Sequence, residues 1–197
     1  MSRLAELAGL DFIAPGAAFS RQTARDFQRI AAAAAWFRER FPGHRQCELR
    51  LAYLMRLLEP LGFEQAKKVC FKFAFAKNDT KRIMEYIRNR SAAAAALSQP
   101  SVMRPSKLFR LLSPLGSEEL VLLKTEVPAA ARHIGDFLEK YHSVRVSLSG
   151  HDLKALGIMP GPRYQRILRG LLDAKLDGTI RTREDELKFV SRISKSA

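Results

Sequence analysis

The sequence lacks the patterns that most membrane and catalytic sites require. No apolar run approaches the ~20 residues of a membrane-spanning helix. Arg3, Glu6 and Asp11 interrupt the start of the chain, where a signal peptide would need an apolar core. There is no Asp-x-Asp pair, no phosphate-binding G-x-x-x-x-G-K-S/T loop and no G-x-S-x-G nucleophile turn. We therefore expect no membrane span and none of the catalytic groups of these enzyme classes.

Cysteine and histidine are also scarce. Cys47 and Cys70 are the two cysteines, and their spacing is not that of a metal site. We expect reduced, buried thiols in a cytoplasmic protein. The four histidines include no pair at i, i+4. His151-Asp152 could suggest a metal hydrolase, but Asp152 fits better as a helix cap, so no metal site is predicted.

Acidic residues are few relative to basic ones. The chain has 34 Lys and Arg against 20 Asp and Glu, a net charge of +14. Such an excess indicates a polyanionic partner, either nucleic acid or a membrane surface. Between Lys67 and Arg90 there are eight basic and two acidic residues. That segment is either a solvated helix surface or an RNA contact.

What the sequence does contain is helical periodicity along nearly its whole length. Apolar residues recur at three- and four-residue spacing, which predicts about ten helices and no convincing sheet. We expect an all-α protein with a larger N-terminal helical bundle and a smaller C-terminal one. The helices predicted before the C-terminal segment cover residues 20–40, 45–59, 63–76, 80–97, 117–125 and 128–142, with Ser20 and Asn78-Asp79 as caps.

The segment 149–187 predicts three helices joined by tight turns. Ser149 with Asp152, and Thr182 with Asp185, have the spacing of capping boxes. Gly157 and Gly178 are suited to end the first and second helices. Pro162 suits the first position of the second helix.

The second of these helices carries an unusual charge order. Tyr164, Ile167, Leu168 and Leu171 share one face. The opposite face carries Arg163, Arg166 and Arg169 in its first half and Gly170, Asp173 and Asp177 in its second half. The helix dipole favours the reverse order, so this face is a candidate for binding. Together with the N–H groups of the turn 157–161, the arginines would suit a phosphate. An ordinary solvated charged face fits the same pattern.

Three motifs in this segment resemble a known family. Residues 150–162 read GHDLKALGIMPGP, residues 167–178 read ILRGLLDAKLDG, and residues 182–187 read TREDEL. In order and spacing they are similar to the C-terminal region of bacterial tRNA nucleotidyltransferases, the CCA-adding enzymes and their poly(A) polymerase relatives. Residues 4–16 more weakly resemble the family's link from neck to body. The resemblance covers the non-catalytic part of the family.

The resemblance implies a domain organisation and a function. Residues 1–19 would end the neck, 20–112 would form a helical body, and 113–197 would form an RNA-binding helical tail. The chain itself would not be an enzyme. It would hold tRNA by backbone and shape while a head, absent from this sequence, adds nucleotides to the 3′ end with Mg²⁺ and nucleotide triphosphates. No cofactor is expected in this chain. The residues expected to contact RNA are Lys154, Gly157, Gly161, Arg163, Arg166, Arg169, Arg181 and Arg183.

A second interpretation remains open from the residues alone. The same basic surface fits a helical regulatory module that meets an acidic partner protein. Competition by folded tRNA, compared with heparin or duplex DNA, separates the two hypotheses. A nucleic-acid binder without preference for tRNA is a third.

Overall fold

The computed structural model describes residues 21–99 and 102–195. The predicted helical pattern within 1–19 and the Ser20 cap lie outside the described residues. The described residues form helices and connectors with no strand, which confirms the all-α class. The helices are α1 Arg21–Arg40, α2 Leu49–Leu58, α3 Gly62–Lys72, α4 Lys77–Leu97, α5 Pro105–Leu112, α6 Ser117–Glu126, α7 Ala130–Asp136, α8 Gly150–Ala155, α9 Pro162–Leu176 and α10 Arg183–Lys195. A 3₁₀ turn, Glu59–Leu61, joins α2 to α3, and a π turn, Phe137–Tyr141, extends α7.

The first compact unit comprises residues 21–99 and 115–131 of the described chain. Its central element is α6, which contacts α1, α2 and α4. The apolar run Leu120–Leu123 is buried on every side of that helix, so α6 shows no amphipathic pattern. Glu118 and Ser117 at its N-terminus are buried as well.

The second compact unit comprises residues 102–114 and 132–195 of the described chain. Its core joins α8, α9 and α10 with the connectors between them. The buried apolar residues are Leu148, Leu153, Ile158, Ile167, Leu171, Ile180 and Val190. The apolar face predicted for α9 is therefore the face that packs inward.

These units do not follow the predicted boundary between residues 112 and 113. Helix α5 belongs to the second unit, because Arg110 contacts Asp173 of α9 and Ser106 contacts Asp177, the residue after α9. Helix α6 belongs to the first unit, because its apolar side chains fill the space among α1, α2 and α4. Along the chain, α5 therefore belongs to the second unit, α6 belongs to the first, and the residues after 131 belong to the second again.

Two predicted helix ends are wrong. Helix α3 ends at Lys72 rather than 76, because Ala74 adopts a left-handed φ of 47°. The next helix, α4, begins at Lys77 and has no side-chain cap, although Asn78-Asp79 was predicted to cap it. The Asp79 carboxylate instead accepts a hydrogen bond of 2.8 Å from Arg50 of α2.

Candidate nucleic-acid interface

Local hydrogen bonds define the ends of α8 and α10 as the sequence predicts. The Ser149 N–H donates to Asp152 Oδ2 at 2.7 Å, and the Asp152 N–H donates to Ser149 Oγ at 3.4 Å. The Thr182 N–H donates to Asp185 Oδ2 at 3.0 Å, and the Asp185 N–H donates to Thr182 Oγ1 at 3.2 Å. Both pairs are reciprocal capping boxes. They fix where the helices around the candidate site begin.

The turn between α8 and α9 is held from both sides. Gly157 has a φ of 76°, and its N–H donates to Lys154 O at 2.9 Å. The Ile158 N–H donates to Leu153 O at 3.1 Å. These two bonds complete the C-terminus of α8. On the other side, the Tyr164 hydroxyl donates to Ile158 O at 2.9 Å. The Gly157 N–H is therefore used inside the protein and is not open to a ligand.

The remaining N–H groups of this turn differ from that of Gly157. Within the described residues, no acceptor meets the N–H of Met159, Gly161 or Arg163. Met159 is exposed at the tip of the turn, and Gly161 precedes the first residue of α9. These groups lie where the positive end of the helix dipole adds to their own polarity. The turn can thus offer anion-binding donors, but from its second half only.

Most of the basic side chains that are predicted to contact RNA make no ion pair within the described residues. This group comprises Lys154, Arg163, Arg166, Arg169 and Arg181. Arg163 is partly buried, and its Nη2 is enclosed without a hydrogen-bond acceptor. The others are exposed. Enclosed polar groups almost always have a partner, so Arg163 Nη2 is a candidate position for a hydrogen bond to water or a ligand.

The structure explains the two aspartates of α9 without a ligand. Asp173 Oδ2 lies 3.0 Å from Arg110 Nη2. Asp177 accepts hydrogen bonds from the Ser106 N–H at 2.9 Å and from the Ser106 hydroxyl at 2.8 Å. Ser106 lies in the first turn of α5, where a carboxylate is favourable to that helix's dipole. The acidic half of the predicted charge reversal therefore has a structural cause, and only its arginine half remains a binding signal.

Gly170 lies against a neighbouring helix rather than on the open surface. The ring of Phe189 lies against it, and a Cβ at this position would sit 3.7 Å from that ring. That distance is an ordinary van der Waals contact, so the packing of α10 on α9 would also accept an alanine here. Gly170 lies near the arginines on a helical projection, but it faces a neighbouring helix.

Arg183 differs from the other predicted arginines, because it is paired. Its Nη2 lies 2.5 Å from Asp152 Oδ1, and its Nη1 donates to Ser147 O at 3.2 Å. Hydrogen bonds from the Ser149 hydroxyl and N–H, with Arg183 adding to them, lower the pKa of Asp152 to about 2. Arg183 joins the start of α10 to the cap of α8. The neighbouring Arg181 has an exposed side chain, and its backbone N–H donates to Asp185 Oδ2 at 3.0 Å.

Glu186 is a buried carboxylate that the sequence analysis missed. It accepts hydrogen bonds from the N–H groups of Ser147 and Leu148, each at 2.9 Å, and from Lys175 Nζ at 2.8 Å. Burial raises its pKa, but the hydrogen bonds from Lys175 and the two N–H groups outweigh burial and lower it. These contacts satisfy backbone N–H groups of the connector 144–148. A helical projection predicts that Glu186 is buried, because it lies on the same face of α10 as Val190.

A cavity of about 510 Å³ lies beside Arg169 in the second unit. Its walls are mostly apolar and come from α5, α9 and the connector after α7. They include Phe109, Val144, Val146, Leu168 and Leu172, with His142, Arg145 and Arg169 also lining it. Arg145 is partly engaged, since its Nη1 donates to His142 O and Val144 O. The cavity thus places an apolar recess next to the cationic surface.

The described residues bring no three His, Cys, Asp or Glu side chains together as a metal ion would require. No helix in the described ranges is both long and apolar enough to cross a membrane. What this surface offers is recognition of an anion by guanidinium groups and backbone N–H donors.

The chain is similar to an A-adding tRNA nucleotidyltransferase of Geobacter sulfurreducens, with 24% identity over 201 residues. No family model and no solved structure matches it. The match covers 99% of this chain but 23% of the relative, so the chain spans about a quarter of that protein's length. Similarity along nearly all of the chain supports a relation to the tRNA nucleotidyltransferase family.

Proposed function

We propose that this chain is a tRNA-binding region of a nucleotidyltransferase that acts on tRNA. The single observation that carries the proposal is the similarity to an A-adding tRNA nucleotidyltransferase along 99% of the chain. In this role the chain holds tRNA while catalytic groups elsewhere extend its 3′ end. The type of nucleotide added would be decided by those other groups.

The proposed contact surface is the first half of α9 with the turn before it. Arg163 and Arg166 would bind phosphate oxygens, and the N–H groups of Met159 and Gly161 would add donors. Lys154, Arg169 and Arg181 would extend the surface on either side. Recognition of this kind reads backbone position and helix shape rather than base sequence.

Two features of the surface support an anionic ligand. The Arg163 Nη2 atom is enclosed and lacks an acceptor, so it gains a hydrogen bond only from a group that enters the site. Guanidinium groups bind phosphate in a two-point geometry, which gives charge-assisted hydrogen bonds. An acidic partner protein is the alternative, and competition distinguishes it.

The test compares folded tRNA with an unfolded RNA of the same length across a salt series. We expect tighter binding of the folded tRNA and a linear fall of log affinity with log salt. Each phosphate contact contributes roughly 0.7–0.9 to that slope. Heparin and duplex DNA, added as competitors at equal charge, should displace tRNA less well than unlabelled tRNA does. Equal affinity for the two RNAs would reject tRNA recognition by this chain.

A further inference from the structure

We propose that Phe71, with the lysines beside it, forms a stacking platform for an unpaired base of RNA on the first unit. This inference deepens the proposed function and rests on its RNA partner. It concerns a surface separate from α9, at the C-terminal end of α3. The platform is defined here as Phe71 with Lys67, Lys68, Lys72 and Lys77.

Phe71 is unusually exposed for a large aromatic residue. Its relative exposure is 89%, although Ala66, Val69 and Cys70 of the same helix are buried. No ring contact involving Phe71 occurs within the described residues. Phe73, two residues on, differs because Lys72 Nζ lies 5.5 Å from its ring centre. The Phe71 ring thus has an open face.

Positive charge surrounds this ring. Lys67 and Lys68 precede Phe71 by four and three residues, so they flank it on the helix surface. Both are exposed and make no ion pair within the described ranges. The only acidic residue of α3, Glu64, lies a further turn away, and Asp79 of α4 is engaged by Arg50. Lys77 opens α4 just after the turn, and it is also exposed and unpaired among the described residues.

The turn after α3 holds this surface in place. The Phe75 N–H donates to Cys70 O at 3.0 Å, and the Ala74 N–H donates to Phe71 O at 3.1 Å. This is the hydrogen-bond pattern of a Schellman motif, with Ala74 at the left-handed position that glycine usually occupies. A strained backbone that persists in a structure is typical of functional surfaces. The carbonyl of Phe71 is thereby fixed and its side chain is left pointing outward.

An open aromatic ring among lysines has the composition of a single-stranded nucleic-acid site. Every base presents a flat face that stacks on an aromatic ring, while the lysines meet the adjoining phosphates. Duplex RNA offers no such face except at loops and ends. Unpaired RNA matches the ring and the charge together, because each nucleotide carries a base next to a phosphate.

The test measures binding of a short unpaired RNA that carries a fluorescent adenine analogue. Phe71→Ala should weaken this binding by roughly tenfold. Phe71→Trp should keep the affinity and quench the analogue, because an indole stacks on a base at least as well as a phenyl ring. Val102→Ala, which alters another apolar side chain of 99% exposure, should change nothing.

The outcomes separate this inference from the proposed function. If Phe71→Ala binds the oligonucleotide as tightly as the wild type does, the platform is rejected, whatever Arg166 contributes to tRNA binding. If Phe71→Ala weakens the oligonucleotide but the wild type does not prefer folded tRNA, the platform holds and tRNA recognition fails. If Phe71→Ala leaves RNA affinity unchanged and abolishes self-association in sedimentation, the surface is a protein interface and the platform is rejected.

Discussion

The arginines of the two units differ in what they meet. In the first unit, Arg56 lies 2.9 Å from Asp26 and 3.0 Å from Glu59, and Arg90 pairs with Glu59 and Glu126. In the second unit, the arginines in the first half of α9 meet no carboxylate within the described residues. Each arginine of the first set has carboxylate partners, whereas the arginines of the second set have none within the described residues. Arginine content alone therefore does not identify a binding surface, and the clustered arginines of α9 without carboxylate partners are the candidates.

The paired set of the first unit encloses a polar cavity of about 230 Å³. Its lining includes Asp26, Arg56, Arg90 and Glu126, and the Tyr86 hydroxyl nearby donates to Glu59 at 2.9 Å. Burial, with the neighbouring carboxylates, raises the pKa of Tyr86, so the hydroxyl keeps its proton. These groups satisfy one another and need no external ion. They are partly buried beside the apolar core of the first unit, and their loss should destabilise it.

The largest effect on stability is expected for Glu118→Ala. The Glu118 side chain is fully buried, pairs with Arg82 and Arg45, and accepts the Glu48 N–H at 2.8 Å. Removing it leaves Arg82 and the N–H without a buried partner, which should cost about 3–5 kcal/mol. Urea unfolding would measure this loss. A loss below about 1 kcal/mol would mean that the paired charges of the first unit do not hold its fold.

A smaller loss is expected for Tyr86→Phe. The ring still fills its buried site, but Glu59 loses the hydrogen bond from the hydroxyl. Hydrogen bonds to charged groups contribute about 1.5–3 kcal/mol. The same unfolding experiment would detect the change. Tyr53→Phe, which alters a tyrosine stacked on Phe27 in the same unit, is the control and should cost less.

The pH dependence of stability tests a paired charge in the second unit, the carboxylate of Glu186. The hydrogen bonds to Glu186 depress its folded-state pKa below the usual 4.5. A carboxylate of this kind stabilises the fold above its unfolded pKa, and the stabilisation is lost as pH falls through the folded pKa. Stability should therefore decline as the pH is lowered from about 4.5, and Glu186→Gln should flatten that decline. An unchanged pH profile in the variant would contradict the assigned contacts.

Much of the second unit was predictable because its signals are local. The caps at Ser149 and Thr182 depend on residues three positions away, and the turn at Gly157 depends on one left-handed residue. The structure reproduces them. Ala74 shows the limit of that approach, since an alanine in a glycine position gave no warning that α3 would end early.

The partners of Asp173 and Asp177 could not be predicted, because they depend on which helices meet. Ser106 lies 71 residues before Asp177 along the chain, and no local pattern connects them. The same applies to the placement of α5 and α6 in different units. The unpaired state of Arg163 likewise becomes visible only when every neighbouring acceptor is placed. Charge order on α9 was therefore misleading in its second half, whereas the binding role of its first half stays a prediction.

The smallest effect on stability is expected for Arg166→Glu, and this variant gives the most direct test of the account. Arg166 is exposed and unpaired among the described residues, so the unfolding free energy should change by less than about 0.5 kcal/mol. Arg132→Glu, an equal change of charge at another exposed arginine of the second unit, is the matched control. The measurement is the affinity of both variants for folded tRNA. The account predicts that Arg166→Glu binds on the order of tenfold more weakly than Arg132→Glu, a difference of about 1.4 kcal/mol. Equal affinities would contradict the claim that the unpaired arginines of α9 bind tRNA.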